Sequence, residues 1–433
     1  MNRSRTAPTT GRGVGFIQSD SLGQRSADRW EARPLADSIL HLIWQEHQIS
    51  RAEIARRLGL SRSTVTEIIK ELLGSGFVKE VGIGESSGGR RPIVLQFQND
   101  ARVILGIGIG ATHVSATLMD LAGIILVTEK RRHPVRNDPQ GTLSLIIEIA
   151  KDCLSQVKRG KARLLSIGVA LPSPVDPNHP EFLSEVVIPA WRGRSELDSL
   201  HKYFGVPIYV DNDANLGALA EHRWGAGQGV SDLTYVKLAY GIGAGFILNG
   251  EIYRGAAGVA GEMGHVPVDP NGEKCICGLT GCLVSIIGGQ AIEDKAKRML
   301  ADYPQSDLRR ESLSLALIEE AALNGDPLAV KLYADLVPSI SLAMQGWINM
   351  MNPSRIILGG SMAKLGSLLV EPLQAMSNQN TLVGSVASTR IRIGELGENA
   401  ESIGAATLAL EEVFSVPGFY LNDTPAKVSL AVD

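Results

Sequence analysis

Residues 261–282 constrain the fold more than any other stretch of the chain. They read GEMGHVPVDPNGEKCICGLTGC and hold three of the four cysteines, with His265 ten residues ahead of Cys275. Three thiolates and one imidazole fill the tetrahedral shell of a zinc ion and leave no coordination position for water. We therefore predict a structural Zn²⁺ bound by His265, Cys275, Cys277 and Cys282. A reduced cysteine-rich loop without metal, or a redox cluster, is the alternative.

The composition limits the class of protein. A chain of 433 residues is expected to hold more than one domain, and a net charge of −4 argues against reading all of it as a binder of polyanions. Clustered cysteines favour a reducing compartment over disulfides, and Cys153 lies in an apolar run that predicts a core position. No run of 18 apolar residues and no apolar signal core are present, so we expect a cytoplasmic protein without membrane spans.

Residues 35–75 carry the pattern of a helix-turn-helix. Residues 35–46 place apolar side chains at helical spacing, and two further helical runs follow, with Gly59 between them. Gly59 permits the tight turn, and Ser61 is positioned to cap the second helix. In this motif the second helix enters the major groove of DNA. The side chains predicted to face inward on that helix are Val65, Ile68, Ile69, Leu72 and Leu73.

The opposite face of the second helix is polar. We predict that Arg62, Ser63 and Thr66, near the start of that helix, reach base edges. Two strand-like pieces follow, joined by the turn-forming SSGGR, and predict a β-hairpin wing. The side chains expected to contact phosphates or a narrow groove are Arg56, Arg57, Lys70 and, near the tip of the wing, Arg90 and Arg91. An ordinary three-helix packing module with solvated charges is the alternative.

From Arg102 onward the sequence changes to strands and glycine-rich turns. The run RVILGIGIGATHVSATLMD predicts two strands, with Gly106, Gly108 and Gly110 in the turn between them. A second strand-turn-strand pattern occurs at residues 233–253. Two such patterns, each followed by helical segments, suggest a duplicated two-lobed α/β fold with a cleft between the lobes.

Residues 211–215, DNDAN, follow an apolar strand-like run and precede a predicted helix. Polar side chains at the end of a strand are a usual place for ligand contacts in α/β folds. A carboxylate there can accept a hydroxyl proton as a general base, or act simply as a hydrogen-bond acceptor. The alternative is a helix cap with a solvated pair of aspartates.

With these motifs in view, the chain resembles the ROK family of sugar-responsive repressors and sugar kinases from about residue 35 to residue 411. The most specific pieces are GEMGH followed by CxCGxxGC, the DNDAN stretch, the turns GIGIGAT and GIGAGFILNG, and NPSRIILGG at residues 352–360. The resemblance implies an α/β fold: an N-terminal winged helix-turn-helix followed by a two-lobed, actin-like or hexokinase-like domain. Sugar would bind between the lobes, with zinc nearby.

The resemblance also implies roles for individual residues. Asn212, Asp213, Glu262 and His265 match sugar-contacting positions of the family, and Asp213 matches the catalytic base of its kinase members. His265 and the three clustered cysteines match the family's zinc ligands.

Four positions depart from the family pattern. The kinase members carry an aspartate in the first glycine turn, and Gly108 stands there instead, while His113 takes a lysine position. Without that carboxylate, Mg²⁺ has no side chain to organise it around the transferring phosphates. Val187 and Val284 replace polar residues of the sugar pocket, which should weaken a standard glucose site.

These features predict a DNA-binding regulator that is not an enzyme. We expect a repressor of carbohydrate uptake or metabolism, a homodimer or dimer of dimers on double-stranded operator DNA, with a sugar or sugar phosphate as effector. The predicted boundaries are a flexible tail at 1–30, the winged helix-turn-helix at 31–98, the effector domain at 101–415 and a second tail at 416–433. A sugar kinase with a DNA-binding module and a ligand-independent DNA-binding regulator are the alternatives.

Overall fold

The computed structural model describes an N-terminal head and two lobes over residues 35–83, 93–157, 163–195, 197–310, 312–380 and 389–421. The head comprises residues 35–97, lobe one is built on residues 103–212, and lobe two on residues 233–393. The expected tail at 1–30 and the wing arginines Arg90 and Arg91 lie outside the described residues.

The head is a helix-turn-helix completed by a small sheet. Its elements are α1 (Leu35–Glu46), β1 (Gln48–Ser50), α2 (Arg51–Leu58), α3 (Arg62–Ser75), β2 (Val78–Ile83) and β3 (Ile93–Phe97). The strands are antiparallel in the order β1-β3-β2. The Ser61 hydroxyl accepts a hydrogen bond from the Thr64 N–H and caps α3, and Gly59 takes the left-handed φ of +65° that the turn requires. Both predictions for the turn are confirmed.

The predicted inward face of α3 packs into the core of the head. Val65, Ile69 and Leu72 are fully buried, and Ile68 and Leu73 are half-buried beside them. The polar side chains of the same helix therefore point to solvent, because an α-helix repeats every 3.6 residues.

Lobe one is a five-stranded sheet covered by helices. Its elements are β4 (Val103–Ile109), β5 (His113–Asp120), β6 (Ile125–Arg132), α4 (Pro139–Ser155), β7 (Leu164–Leu171), α5 (Asp198–Phe204) and β8 (Ile208–Asn212). The order is β6-β5-β4-β7-β8, with antiparallel pairing from β4 to β6 and parallel pairing from β4 to β8. Cys153 on α4 is buried in the core of this lobe, as predicted.

Lobe two repeats the same plan. The link from lobe one is α6 (Asp213–Trp224), and α12 (Ala400–Ser415) follows the last strand of lobe two. Between them lie β9 (Leu233–Leu238), β10 (Ile242–Leu248), β11 (Glu251–Tyr253), α7 (Val284–Ile287), α8 (Gly289–Met299), α9 (Leu315–Leu323), α10 (Pro327–Met351), β12 (Arg355–Gly359), α11 (Ser367–Asn380) and β13 (Arg390–Ile393). The strand order β11-β10-β9-β12-β13 matches that of lobe one, strand for strand. The predicted duplication is confirmed.

Helices α6 and α12 are the two connections between the lobes. Helix α6 leaves β8 of lobe one and packs on β9 and β10 of lobe two, whereas α12 follows β13 of lobe two and packs on β4 and β7 of lobe one. The two helices also pack against each other. Helix α6 follows β8 directly, whereas α12 begins after a short turn beyond β13. The first turns of both helices approach β9, where Lys237 contacts Asp213 and Glu401.

One prediction for the first glycine-rich run is wrong. Gly106 and Gly108 lie within β4 rather than in the turn, which begins after Ile109. A Cβ at Gly106 would stand 1.9 Å from the carbonyl oxygen of Ser402 on α12. Gly106 is therefore explained by the close approach of α12 to the strand, whereas a Cβ at Gly108 would meet the Ser115 hydroxyl of β5 first.

Head and lobe one share a single hydrophobic core. Trp44 of α1 stacks on Phe414 of α12 with ring centroids 4.7 Å apart, and the Trp44 indole N–H donates to the carbonyl oxygen of Leu121 at 3.0 Å. Residues 416–421, expected to belong to a tail, close this core: Tyr420 is buried, and the Gly418 N–H donates to Asp37 at 2.9 Å. The end of the described chain thus holds the head against the lobe.

Helix α10 is, among the described residues, the one helix whose length and composition would suffice to cross a membrane. Most of that apolar window is buried in the core of lobe two. The buried core helix of a folded protein can have this length and composition as well.

Candidate ligand cleft, metal cluster and DNA-facing helix

The structure brings the four predicted metal ligands together. The ligand atoms of His265, Cys275, Cys277 and Cys282 all lie within 4.8 Å of one another. The sulfurs of Cys277 and Cys282 are 3.6 Å apart, and His265 Nδ1 lies 3.5 Å from the Cys275 sulfur. In a tetrahedral site with zinc–sulfur bonds of about 2.3 Å, two sulfurs stand about 3.8 Å apart. These four side chains could therefore hold a metal ion.

Glycines shape the loop that carries these ligands. Gly278 and Gly281 adopt positive φ values of +94° and +68°. A Cβ at Gly281 would lie 1.6 Å from the carbonyl oxygen of Asp269, so a side chain there would push the two strands of the loop apart. The Cys275 N–H donates to the Leu279 carbonyl at 2.7 Å, which closes the turn that carries Cys277.

The DNDAN stretch forms the junction between β8 and α6. Asn212 caps α6, since its side-chain oxygen accepts from the N–H groups of Ala214 and Asn215 and its amide donates to the Ser173 carbonyl at 3.1 Å. The helix-cap alternative is therefore correct for Asn212. The aspartates on either side, however, are buried and not solvated.

Asp211 is held in place by a cation from lobe two. Arg254 Nε donates to Asp211 at 2.7 Å, and the Asn215 amide donates to the other carboxylate oxygen at 3.0 Å. With these polar contacts directed inward, Asp211 serves to fix the start of α6 rather than to meet a ligand.

Asp213 is bound by a lysine that the sequence analysis did not identify. Lys237 of β9 contacts Asp213 at 2.7 Å and Glu401 of α12 at 3.1 Å, and the three side chains are 10–14% exposed. Burial raises the pKa of Asp213. Burial alone would lower the pKa of Lys237, but the two carboxylates together raise it above its usual value. The one signal in the sequence was a lysine in the middle of the apolar strand LTYVKL.

Glu262 lies three residues before His265 of the metal cluster and close enough to Asp213 for their charges to interact. Burial, reinforced by the nearby negative charge of Asp213, raises the pKa of Glu262 to about 7. His265 turns Nδ1 toward Cys275, so its Nε2 is the nitrogen left to face a ligand or a further protein group. Asp213 and Glu262 are therefore near neighbours, and a shared ligand-binding role with His265 stays a prediction.

The first glycine turn is filled by the chain itself. A Cβ at Gly110 would meet the His113 ring at 2.6 Å, so the imidazole lies directly over the turn. Burial, followed by the charges of Lys130 and Lys237, lowers the pKa of His113 to about 4. A Cβ at Gly108 would lie 2.5 Å from the Ser115 hydroxyl. Position 108 therefore carries no carboxylate, and a side chain there would require a shift of Ser115.

The two valines that depart from the family pattern are half-buried. Val187 lies in a loop of lobe one, where its carbonyl oxygen accepts from the Arg136 guanidinium at 2.9 Å, and Val284 begins α7. Neither side chain offers a hydrogen bond to a hydroxyl group. A sugar in this cleft would therefore depend on the polar side chains around Asp213.

The predicted DNA-facing residues lie on the solvent side of the head. Arg62, Ser63, Thr66 and Lys70 are exposed on α3, and the Thr66 hydroxyl donates to the Arg62 carbonyl at 2.8 Å. The side chains expected to contact phosphates from α2 are also exposed. Arg56 and Arg57 both contact Glu53, at 2.6 and 2.7 Å, so either would exchange a carboxylate for a phosphate on binding DNA.

Comparison with known proteins connects both parts of the chain to described families. A profile of the ROK family matches residues 104–412, and one of the MarR family matches residues 38–80. The N-acetylglucosamine repressor of Escherichia coli O6:H1 is 31% identical over 373 residues, covering 86% of this chain and 91% of the relative. The xylose repressor of Bacillus subtilis (strain 168) is 28% identical over 375 residues, covering 86% and 94%.

Solved structures agree with the architecture. A ROK family transcriptional regulator described as a homologue of the E. coli MLC protein superposes with a TM-score of 0.71 at 27% identity, covering 89% of this chain and 97% of that one. A ROK family glucokinase from Streptomyces griseus, in complex with glucose and AMPPNP, superposes with a TM-score of 0.62 at 28% identity over 71% of this chain and 99% of that one. The regulator covers the head as well as the lobes, and the kinase covers about as much of the chain as the lobes alone.

Proposed function

The chain belongs to the ROK family, and from that membership we propose that it is a DNA-binding transcriptional regulator that represses genes of carbohydrate uptake or metabolism. The observation that carries the proposal is a helix-turn-helix head, with the polar face of α3 exposed, built into one core with lobe one. A head joined in this way changes position when the lobes move, which is what an effector-controlled repressor requires.

Phosphoryl transfer is disfavoured at two points of the cleft. Gly108 supplies no carboxylate for Mg²⁺, and Ser115 occupies the space where one would begin. Asp213, at the position of the kinase base, is already paired with the Lys237 ammonium at 2.7 Å. This contact would have to open before Asp213 could accept a hydroxyl proton. We therefore propose a non-enzymatic role for this cleft.

The charges in the cleft favour an uncharged sugar over a sugar phosphate. Asp213, Glu401 and Glu262 are acidic, and Lys237 is the cation placed between the first two. A phosphate near these carboxylates would meet like charge in a partly buried site. Sugar hydroxyls, in contrast, can donate hydrogen bonds to them. Val187 and Val284 offer no hydrogen bonds to a sugar, and they therefore still support the alternative of a ligand-independent regulator.

Zinc is the ion we propose for the metal cluster. Three sulfurs and one imidazole nitrogen suit zinc, and four protein ligands leave no position open for catalysis. When bound, the ion would clamp residues 265–282 and so hold Glu262 at the edge of the cleft. The ligands are His265, Cys275, Cys277 and Cys282.

DNA binding is proposed to involve two heads. A palindromic operator presents equivalent half-sites, so a homodimer, or a dimer of dimers, would place one α3 in each major groove. Arg62, Ser63 and Thr66 would meet bases, and Lys70 would meet phosphate. The wing arginines Arg90 and Arg91 remain proposed contacts. Because a repressor works where the DNA is, we expect this chain to act in the cytoplasm.

The test is a gel shift with the full-length protein on DNA upstream of its own gene. The salt concentration is kept fixed, and xylose, glucose, N-acetylglucosamine and their phosphates are added one at a time. We expect one uncharged sugar to change the affinity. A response to a phosphate alone would contradict the charge argument, and no response to any sugar would favour the ligand-independent regulator. Consumption of ATP with any of these sugars would favour a kinase.

A matched pair of variants tests the DNA-facing surface. Lys70→Ala should weaken binding and lower the dependence of log affinity on log salt by about one unit, as loss of one phosphate contact does. Lys202→Ala removes an exposed lysine from α5 of lobe one and should leave both unchanged. Equal behaviour of the two variants would contradict the placement of α3 on DNA.

A further inference from the structure

Lys237 joins the starts of both helices that connect the lobes. Asp213 is the first residue of α6, and Glu401 is the second residue of α12. The Lys237 ammonium lies 2.7 Å from the first carboxylate and 3.1 Å from the second. Since β9 and α6 pack within lobe two while α12 packs on lobe one, the contact between Lys237 and Glu401 crosses from one lobe to the other.

The burial of this group makes the crossing contact strong. All three side chains are 10–14% exposed, so water screens their charges only weakly. Two carboxylates share one ammonium, and the loss of either contact changes how well the remaining charges are compensated. A change at Asp213 is therefore felt at Glu401.

Helix α12 is fixed to lobe one through its backbone. A Cβ at Gly168 of β7 would stand 1.8 Å from the carbonyl oxygen of Ala405, and one at Gly106 would stand 1.9 Å from that of Ser402. A Cβ at Gly404 would likewise stand 1.8 Å from the carbonyl oxygen of Leu216 on α6. With no side chains between these backbones to absorb a shift, α12 moves as a rigid rod of roughly 24 Å.

The far end of the same rod lies in the core of the head. Val413 and Phe414 are buried there, and Phe414 contacts Trp44 and Phe97 with ring centroids 4.7 and 6.0 Å away. Helix α12 thus begins at the cleft and ends beneath the DNA-binding helices.

We infer that the contact between Lys237 and Glu401 is an interlobe latch through which the cleft controls the head. The inference rests on the proposed function as a regulator. A sugar hydroxyl that donates to Asp213 competes with Lys237 for the same carboxylate, so occupancy of the cleft shifts the balance between the two ion pairs. Because α12 is fixed to lobe one and ends in the core of the head, that shift moves lobe one and the head together relative to lobe two. Lys237 and Glu401 are positioning residues in this scheme.

The variant Glu401→Gln removes the ion pair between Lys237 and Glu401 without removing the one between Lys237 and Asp213. It removes the charge that crosses the lobes and leaves Lys237 paired with Asp213, so no buried charge loses its only partner. The matched control is Glu411→Gln, which removes an exposed contact between the same two helices, at 2.6 Å from Arg223. If Glu401→Gln does not fold, Glu401→Asp keeps the charge and shortens its reach.

Two measurements on the full-length protein decide the question. Hydrogen exchange without DNA should show faster exchange in β9 and the first half of α12 for Glu401→Gln, and no change there for Glu411→Gln. Affinity for the upstream DNA should fall by about fivefold or more for Glu401→Gln alone, because loosened heads must be ordered again on binding.

The outcomes separate the inference from the proposed function. Wild-type exchange and wild-type DNA affinity in Glu401→Gln would overturn the latch. If the wild-type protein binds no DNA site found by a genome-wide search, the proposed regulator fails, and the exchange experiment still decides whether Lys237 and Glu401 couple the lobes.

Discussion

At the scale of single residues, the metal cluster leads to a prediction about zinc content and stability. Cys275 is buried, and its sulfur lies 3.5 Å from His265 Nδ1. We expect Cys275→Ser to lower the zinc content well below about one ion per chain and to lower the thermal midpoint, since a structural zinc site contributes folding free energy. Elemental analysis and thermal unfolding measure the two effects.

Cys153 provides the control for that substitution. It is buried in the core of lobe one and is not part of the cluster. Cys153→Ala should cost about 1 kcal/mol of packing and leave the zinc content unchanged. A Cys275→Ser protein that keeps full zinc and full stability would rule out the proposed site.

Single residues also mark the limit of prediction from sequence. The cluster of His265 and three cysteines was predictable, because its four residues stand close together in the sequence. Lys237 was not identified, since its partners Asp213 and Glu401 come from two helices distant in sequence, and a lysine in a strand can equally face solvent. The lack of a carboxylate at Gly108 was predictable, whereas the closure of that space by Ser115 required the fold.

At the scale of elements, local signals predicted the helices of the head. Gly59 and Ser61 mark the end of one helix and the start of the next, and the structure places both as expected. The glycines of β4 were assigned to a turn because glycine usually marks one. Gly106 is instead required by the backbone of α12, and Gly108 is crowded by Ser115; no local pattern reveals either contact.

The contact between α6 and α12 leads to a prediction for one of these glycines. We expect Gly404→Ala to lower the free energy of unfolding by about 1–3 kcal/mol. The alanine Cβ would lie 1.8 Å from the Leu216 carbonyl oxygen, so α6 and α12 would have to separate. Denaturant unfolding measures the change.

A second helical glycine provides the comparison. Gly346 lies inside α10 with nothing within 4 Å of a Cβ. Gly346→Ala should therefore raise stability by about 0.5–1 kcal/mol, the usual preference of a helix interior for alanine. Equal effects at the two glycines would show that the helix crossing is looser than the structure indicates.

At the scale of the whole molecule, the sequence predicted the two lobes but not the surface of lobe one against which the head packs. Two strand-turn-strand patterns indicated a duplication, and the sheets do share one strand order. The position of the head depends on Trp44, Phe414 and Tyr420, which meet only in the folded chain. Aromatic residues at such distances in sequence give no pattern to read.

The shared core predicts that one substitution affects both parts. Phe414 is 8% exposed and contacts Trp44 of the head. We expect Phe414→Ala to cost about 3–5 kcal/mol and to separate the unfolding of the head from that of the lobes. Calorimetry would then resolve two transitions. A single transition at the wild-type temperature would contradict a common core.

The aromatic seat of the head also bears on chimeric regulators. Exchanging residues 31–98 between two members of the family would bring a new α3 and wing. Phe414, Phe419 and Tyr420 would then pack against a head whose side chains differ from those they contact here. We therefore expect that operator specificity cannot be transferred by exchanging residues 31–98 alone. A graft that also carries residues 413–421 would bring its own aromatic contacts, and we expect it to be more stable than one that carries residues 31–98 alone.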